Sequence, residues 1–205
     1  MLIDKKVSEF IDEVASDSSV PGGGSVAALS GAISAALVSM VSNLTIGKKG
    51  YEDKEEHVKG ILVKSEKIRQ ELTLLIDEDS KAFEKVMKAF KLPKDTQEQK
   101  ELRTSTIQQE TKNASLIPLK AAKSAAEIFE LARYVLLNGN KNAASDAAVS
   151  VMLARTAVLS ACYNVLINLS SIKDQEFVQN IKQEVVQLQK NALETETEIL
   201  SLYTF

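Results

Sequence analysis

Cysteine and histidine are almost missing: Cys162 and His57 occur once each in 205 residues, and tryptophan does not occur at all. A single thiol excludes an internal disulfide, and one cysteine with one histidine cannot build a zinc centre of thiolates and imidazoles. Cys162 falls in an apolar run and reads as core, whereas His57 lies among charges and reads as solvated surface. There are only three prolines, and no segment alternates apolar and polar residues between hairpin turns, so no sheet is expected. The start, Met1-Leu2-Ile3-Asp4-Lys5-Lys6, lacks the apolar stretch of a signal peptide, which predicts a cytoplasmic protein. A net charge of −3 argues against a nucleic-acid partner, which calls for a basic stripe. The most apolar run is interrupted by serines and falls short of the roughly 20 residues a bilayer requires, so no membrane partner is expected.

What remains is abundant Ala, Leu, Lys, Glu and Gln in helical periodicity. The pattern predicts helices over 4–16, from the glycines to about 45, 52–90, 96–138, 140–169 and 174–203, with Pro118 kinking or interrupting the fourth. Breaks are short and no low-complexity linker occurs. The expected fold is therefore all-α: one domain over 1–205, a single bundle of long, mostly antiparallel helices.

The most informative segment is Val20-Pro21-Gly22-Gly23-Gly24-Ser25. Three glycines in a row strip the backbone of β-carbons, which lets a ligand or another helix approach, and Ser25 suits the cap of the helix that follows. Such a helix start offers free N–H groups to an anion or a carbonyl. Within that helix Ala27, Gly31, Ala35 and Ser39 form one ridge and Ala28, Ala32 and Ala36 another. Both ridges read as close helix packing. No strand precedes the glycines and no Gly-Lys-Ser/Thr follows, which excludes a dinucleotide fingerprint or a P-loop.

A second signal lies in the long helix. Steps of four and three give Leu72, Ile76, Asp79, Phe83, Val86 and Phe90, a stripe whose one polar member is Asp79. Asp77 falls on another line, with Thr73, Lys81 and Glu84, and reads as solvated. A carboxyl among apolar groups is costly unless paired or neutralised, and desolvation raises its pKa, which suits a general acid or base near neutral pH. Pairing with a core Arg or Lys, or a helix rotated enough to expose the carboxyl, is the alternative. Further on, Gly139-Asn140-Lys141-Asn142-Ala143-Ala144-Ser145-Asp146 opens an otherwise apolar helix, and Asn142 and Asp146 share its face. Asn164 and Asn168 place amides toward that helix's far end. Lys48, Lys49 and Lys141 could receive an anionic tail.

These segments, with Met40-Val41-Ser42-Asn43-Leu44-Thr45-Ile46-Gly47-Lys48-Lys49, Asp77-Glu78-Asp79-Ser80-Lys81-Ala82-Phe83 and Tyr163-Asn164-Val165-Leu166-Ile167-Asn168-Leu169, stand in the order seen in the cyclodeaminase/cyclohydrolase family. The chain resembles the C-terminal half of formimidoyltransferase-cyclodeaminase and free-standing methenyltetrahydrofolate cyclohydrolases. The resemblance implies a helical homodimer acting on a tetrahydrofolate derivative, with no metal and no cofactor beyond that substrate. By the Asp-x-Asp-x-x-Ala-Phe motif it assigns the catalytic role to Asp79, the residue the stripe also selects. It further suggests that Gly22, Gly23, Gly24 and Ser25 line the folate site through the backbone, that Asn142 and Asp146 hold the pterin or the reacting end, and that Lys48 and Lys49 favour the glutamate tail. With no transferase half in the sequence, hydrolysis of the methenyl compound is favoured over deamination of the formimino compound. A non-catalytic scaffold or a folate carrier is the other alternative.

Overall fold

The computed structural model describes residues 1–203. Seven α-helices account for most of it: α1 (Val7–Val14), α2 (Gly23–Asn43), α3 (Glu55–Phe90), α4 (Gln97–Ala126), α5 (Ile128–Asn138), α6 (Ala144–Leu169) and α7 (Gln175–Ser201). Three 3₁₀ turns, Leu2–Asp4, Glu52–Lys54 and Lys141–Ala143, precede α1, α3 and α6. No strand occurs among the described residues.

The α2, α3, α4 and α6 helices form the bundle, and specific pairs fix their directions. Ser25 bonds the Ile76 carbonyl while Ser39 bonds Ser65, so α2 and α3 run antiparallel. Ser34 and Ser150 exchange hydroxyl-to-carbonyl bonds of 2.7 and 2.9 Å, and Asn140 reaches Leu44, so α6 runs against α2. The ion pair Lys120–Glu71 and the Arg103 bonds to the Phe90 carbonyl set α4 against α3. Bonds from Gln108 to Ser171 and from Asn168 to Ala114 set α6 against α4. The resulting order, up-down-up-down, puts α2 in the middle of the core.

That position explains the composition of α2. Ala27, Ala28, Ala35, Val38 and Val41 are buried in the main hydrophobic cluster, and Gly31 faces Leu72 and Ala157. The small ridges admit close neighbours on both sides. At 21 residues α2 is long and apolar enough to cross a bilayer, contrary to the length judged from sequence, as is Lys141–Leu169. Its apolarity is that of a helix surrounded by other helices, with Ser25, Ser34, Ser39 and Ser42 buried along it.

Three local expectations are corrected. Helix α2 begins at Gly23 with Gly22 as its N-cap, so Ser25 is no cap; its hydroxyl turns inward instead. Pro118 lies within a continuous α4, and the break comes later, at Glu127. Asp77, read as solvated, is only 5% exposed and accepts the backbone N–H of Leu2 at 2.7 Å, which ties the N-terminal segment to α3. The last helix, α7, lies on α6, burying Val178, Val185, Ala192 and Ile199, with Arg155–Glu196 and Arg133–Glu198 ion pairs at its edges. His57 is exposed but stacks on Tyr134 at 4.0 Å.

Candidate active site

Where α2 starts, a cavity of about 310 Å³ opens among Gly22–Gly24, Asp79 on α3, Thr111 and Ala114 on α4, and Asn164 and Asn168 on α6. Phe83, Val86, Phe90 and Ile167 form its apolar wall. The stripe read from the sequence is thus split by depth: Leu72 and Ile76 enter the core, and the residues beyond Asp79 become the wall of the cleft. A larger groove of about 480 Å³, between α1 and α2, is lined by Leu2, Phe10, Ile11, Val26, Leu29 and Ile33, with Lys5 its one charged group. It holds no acid, amide or hydroxyl to do chemistry, so the smaller cavity is the candidate site.

Asp79 is half-buried where α2 begins. Burial raises its pKa above the ordinary aspartate value, and hydrogen bonds from the Ser25 hydroxyl and backbone offset part of that rise. The Ser25 Oγ lies 3.3 Å from Asp79 Oδ2, 2.9 Å from the Ile76 carbonyl and 3.2 Å from Ser80 Oγ. Among the described residues no arginine or lysine pairs with Asp79, which removes the core-cation alternative. A carboxyl held this way, open to a cleft and inclined to keep its proton, can both accept and return one.

The glycines have a role beyond a bare backbone. A β-carbon on Gly24 would lie 2.5 Å from Asp79 Cγ and 2.6 Å from Oδ2, and closer still to Oδ1. One on Gly23 would meet the Asn164 amide at 3.1 and 3.2 Å. Their missing side chains leave room for the protein's own carboxyl and carboxamide, and the helix N-terminus, through the Ser25 N–H, favours the charged form of Asp79 against the larger effect of burial. Gly22, whose β-carbon would meet only the Ser19 carbonyl at 3.5 Å, is under no such constraint.

Of the residues selected from the sequence, Gly22, Gly23, Gly24 and Asp79 come together at the cleft, with Ser25 buried behind Asp79. Lys48, Lys49, Asn142 and Asp146 do not join them within one chain. Asp146 lies one turn from Ser150, which pairs with Ser34 near the middle of α2, and Lys48, Lys49 and Asn142 sit at the other end of α2, about 30 Å away by helix rise. There Lys48 donates to Asn140 Oδ1 at 2.8 Å, and the Asn142 backbone N–H donates to the same oxygen at 3.1 Å. Thr111, Asn164 and Asn168 were not chosen as site residues from the sequence. The two amides in an otherwise apolar helix were the available signal. Among the described residues no group of three His, Cys, Asp or Glu side chains could hold a metal ion.

A helical bundle with a half-buried, pKa-raised carboxyl in a cleft of amides and apolar walls is an arrangement on which a bound small molecule could gain or lose a proton. Residues 6–187 match the family model described as Formiminotransferase-cyclodeaminase, and the chain belongs to that family. It is 44% identical over 173 residues to a protein named methenyltetrahydrofolate cyclohydrolase from Methylorubrum extorquens, covering 84% of this chain and 83% of the relative. It is 36% identical to formimidoyltransferase-cyclodeaminase of Sus scrofa over 93% of its length, while spanning only 35% of that longer protein. A crystal structure of formiminotetrahydrofolate cyclodeaminase from Thermotoga maritima superposes with a TM-score of 0.86 at 32% identity, covering 97% of this chain and 96% of that one.

Proposed function

We propose that this protein is a cytoplasmic enzyme that hydrolyses 5,10-methenyltetrahydrofolate to 10-formyltetrahydrofolate, with Asp79 as its general base and acid. The observation that carries the reading is Asp79 itself: a half-buried carboxyl with a raised pKa, facing a cleft of about 310 Å³. That volume is at the low end for a ligand pocket and suits the heterocyclic end of a folate, with the tail outside. Phe83 and Phe90 line it with aromatic side chains.

In the proposed reaction Asp79 takes a proton from water as the oxygen bonds to the methenyl carbon. The tetrahedral intermediate then breaks its bond from that carbon to N5, and Asp79 returns the proton to N5. The hydroxyl proton leaves to solvent, and the formyl group remains on N10. Only water, the folate and Asp79 enter these steps. The relative that matches over most of both chains bears the cyclohydrolase name, which supports this choice.

The 0.86 superposition on a cyclodeaminase supports a second reading. N10 attacks the formimino carbon on N5 and passes its proton through Asp79 to the formimino nitrogen; a second proton, relayed from solvent by Asp79, lets that nitrogen leave as ammonia, and the methenyl bridge remains. Supplying each substrate separately decides between them: loss of methenyl absorbance identifies the hydrolase, and release of ammonia from 5-formiminotetrahydrofolate identifies the deaminase. A scaffold or a folate carrier would turn over neither.

The homodimer belongs to the same proposal. Ile33, Met40 and Leu44 on α2 and Val149, Met152, Tyr163 and Ile167 on α6 are exposed along adjacent antiparallel helices. A two-fold pairing over this face sets the Lys48–Asn140 end of one copy beside the glycine end of the other. Lys48, Lys49, Asn142 and Asp146 would then serve the cleft across the interface, bringing cations to a cavity whose own lining has none. Mixing inactive Asp79→Asn chains with inactive Lys48→Ala chains should restore about a quarter of the activity, since half the dimers would carry one intact site. No recovery in a mixed dimer would place those residues outside the site.

A further inference from the structure

Two carboxamides in the cleft are held in fixed orientations by carbonyls. Asn164 and Asn168 are four residues apart on α6 and both line the Asp79 cavity. Asn164 Nδ2 donates to the Ser160 carbonyl at 2.8 Å, and its amide lies against Gly23. Asn168 Nδ2 donates to the Ala114 carbonyl at 3.3 Å, on the neighbouring helix. That carbonyl is open because of Pro118, four residues on within α4, which has no N–H to close the helical bond. The proline thus leaves that carbonyl without a helical partner, so Asn168 supplies its bond.

We propose that Asn164 and Asn168 are the pair that orients the substrate's heterocycle, and that Pro118 is a positioning residue for Asn168. With one N–H of each amide committed, each keeps an oxygen and a second N–H. A carboxamide of this kind pairs with a lactam edge, where a ring N–H stands beside a carbonyl, and discriminates against rings lacking it. The ligand class is a fused bicyclic lactam, so this inference rests on the folate reading. Being uncharged, the pair holds the ring without competing with Asp79 for the proton.

The test is calorimetric titration of tetrahydrofolate into the parent, Asn164→Ala, Asn168→Ala and Pro118→Ala proteins, with kcat and KM measured beside it. Each asparagine variant should weaken binding about tenfold, the effect of leaving one polar partner unpaired. Pro118→Ala supplies an amide to the Ala114 carbonyl and should weaken binding several-fold, with KM raised, kcat retained and thermal stability equal or higher. A merely structural proline would change stability and leave KM alone. If the asparagine variants fail to fold, Pro118→Ala keeps the inference open to refutation, because alanine favours the helix. Parent-like affinity in Asn168→Ala and Pro118→Ala overturns the inference while leaving Asp79 in its role. A parent that binds no tetrahydrofolate overturns the folate reading, and this one with it.

Discussion

Gly24→Ala adds one carbon to a helix and should cost the protein most of its turnover. The new atom would stand 2.5 Å from Asp79 Cγ, where carbon atoms in contact sit about 3.5 Å apart. The carboxyl must therefore retreat by about 1 Å. Backbone on both sides is helical and packed, so the movement falls on the Asp79 side chain, which loses the Ser25 bond and turns toward the cleft mouth. A displacement of this size in a reacting group lowers rates by about 10². Burial is the larger influence on this carboxyl and outweighs the lost Ser25 bond, so on moving toward water its pKa should fall toward the ordinary value, and the acid limb of the rate profile should move down with it. The fold should survive, since alanine in place of glycine favours a helix by up to about 1 kcal/mol. The assay is steady-state turnover from pH 4 to 9 with circular dichroism melts beside it. Gly22→Ala, whose carbon meets only the Ser19 carbonyl at 3.5 Å, should lose much less. In an Asp79→Ala background, with nothing left to strike, Gly24→Ala should become neutral or stabilising. A Gly24→Ala protein with parental kcat and an unmoved acid limb would refute the reasoning.

Asp79→Asn should lower turnover by about 10²–10⁴, the usual contribution of general acid–base catalysis, and leave the helical circular dichroism intact. The same substitution should raise thermal stability at neutral pH. The folded-state pKa of Asp79 lies above its unfolded value, so the stability this group contributes is complete in acid and lost as pH rises through the folded value. The melting temperatures of mutant and parent should therefore converge below about pH 4 and separate above it, and a constant gap would contradict the burial argument. Cys162 is buried and its thiol is pushed up to about 11, so a thiol reagent at pH 8 should label it only after unfolding. Gly31→Ala should destabilise by up to about 2 kcal/mol in urea unfolding, overpacking against Leu72 Cδ1 at 3.0 Å and Ala157 Cβ at 3.4 Å outweighing the roughly 1 kcal/mol that alanine adds to a helix.

The helices were legible because their signals are local. Apolar periodicity acts within a turn or two of chain, and the observed elements fall close to the expected ones. The errors came where a partner distant in sequence decides. Glu127 interrupts α4 and α5 with no glycine or proline near it, while Pro118 passes through a helix because Asn168, 50 positions away, takes the carbonyl it leaves open. Asp77 looked solvated by helical phase, yet the N-terminal segment folds back over it. Periodicity records which residues share a face and says nothing of what will cover that face.

The site was half legible for the same reason. Asp79 stood out because an acid in an apolar stripe violates a pattern along one helix, and a violation can be seen without knowing the neighbours. Its companions could not be found that way. Asn164 and Asn168 are ordinary until α4 and the glycine turn are placed against them, and Lys48 and Asn142 resemble site residues in sequence although α2 carries them to the opposite end of the bundle. The triple glycine shows the difference most sharply. Its lack of β-carbons marks a close approach in any sequence, but whether a ligand or the protein's own side chains approach depends on register between α2, α3 and α6. Here Asp79 fills the space at Gly24 and Asn164 the space at Gly23. The glycines therefore shape the candidate site by admitting its carboxyl and carboxamide, and the effect of replacing each one should follow the distance to the group it admits.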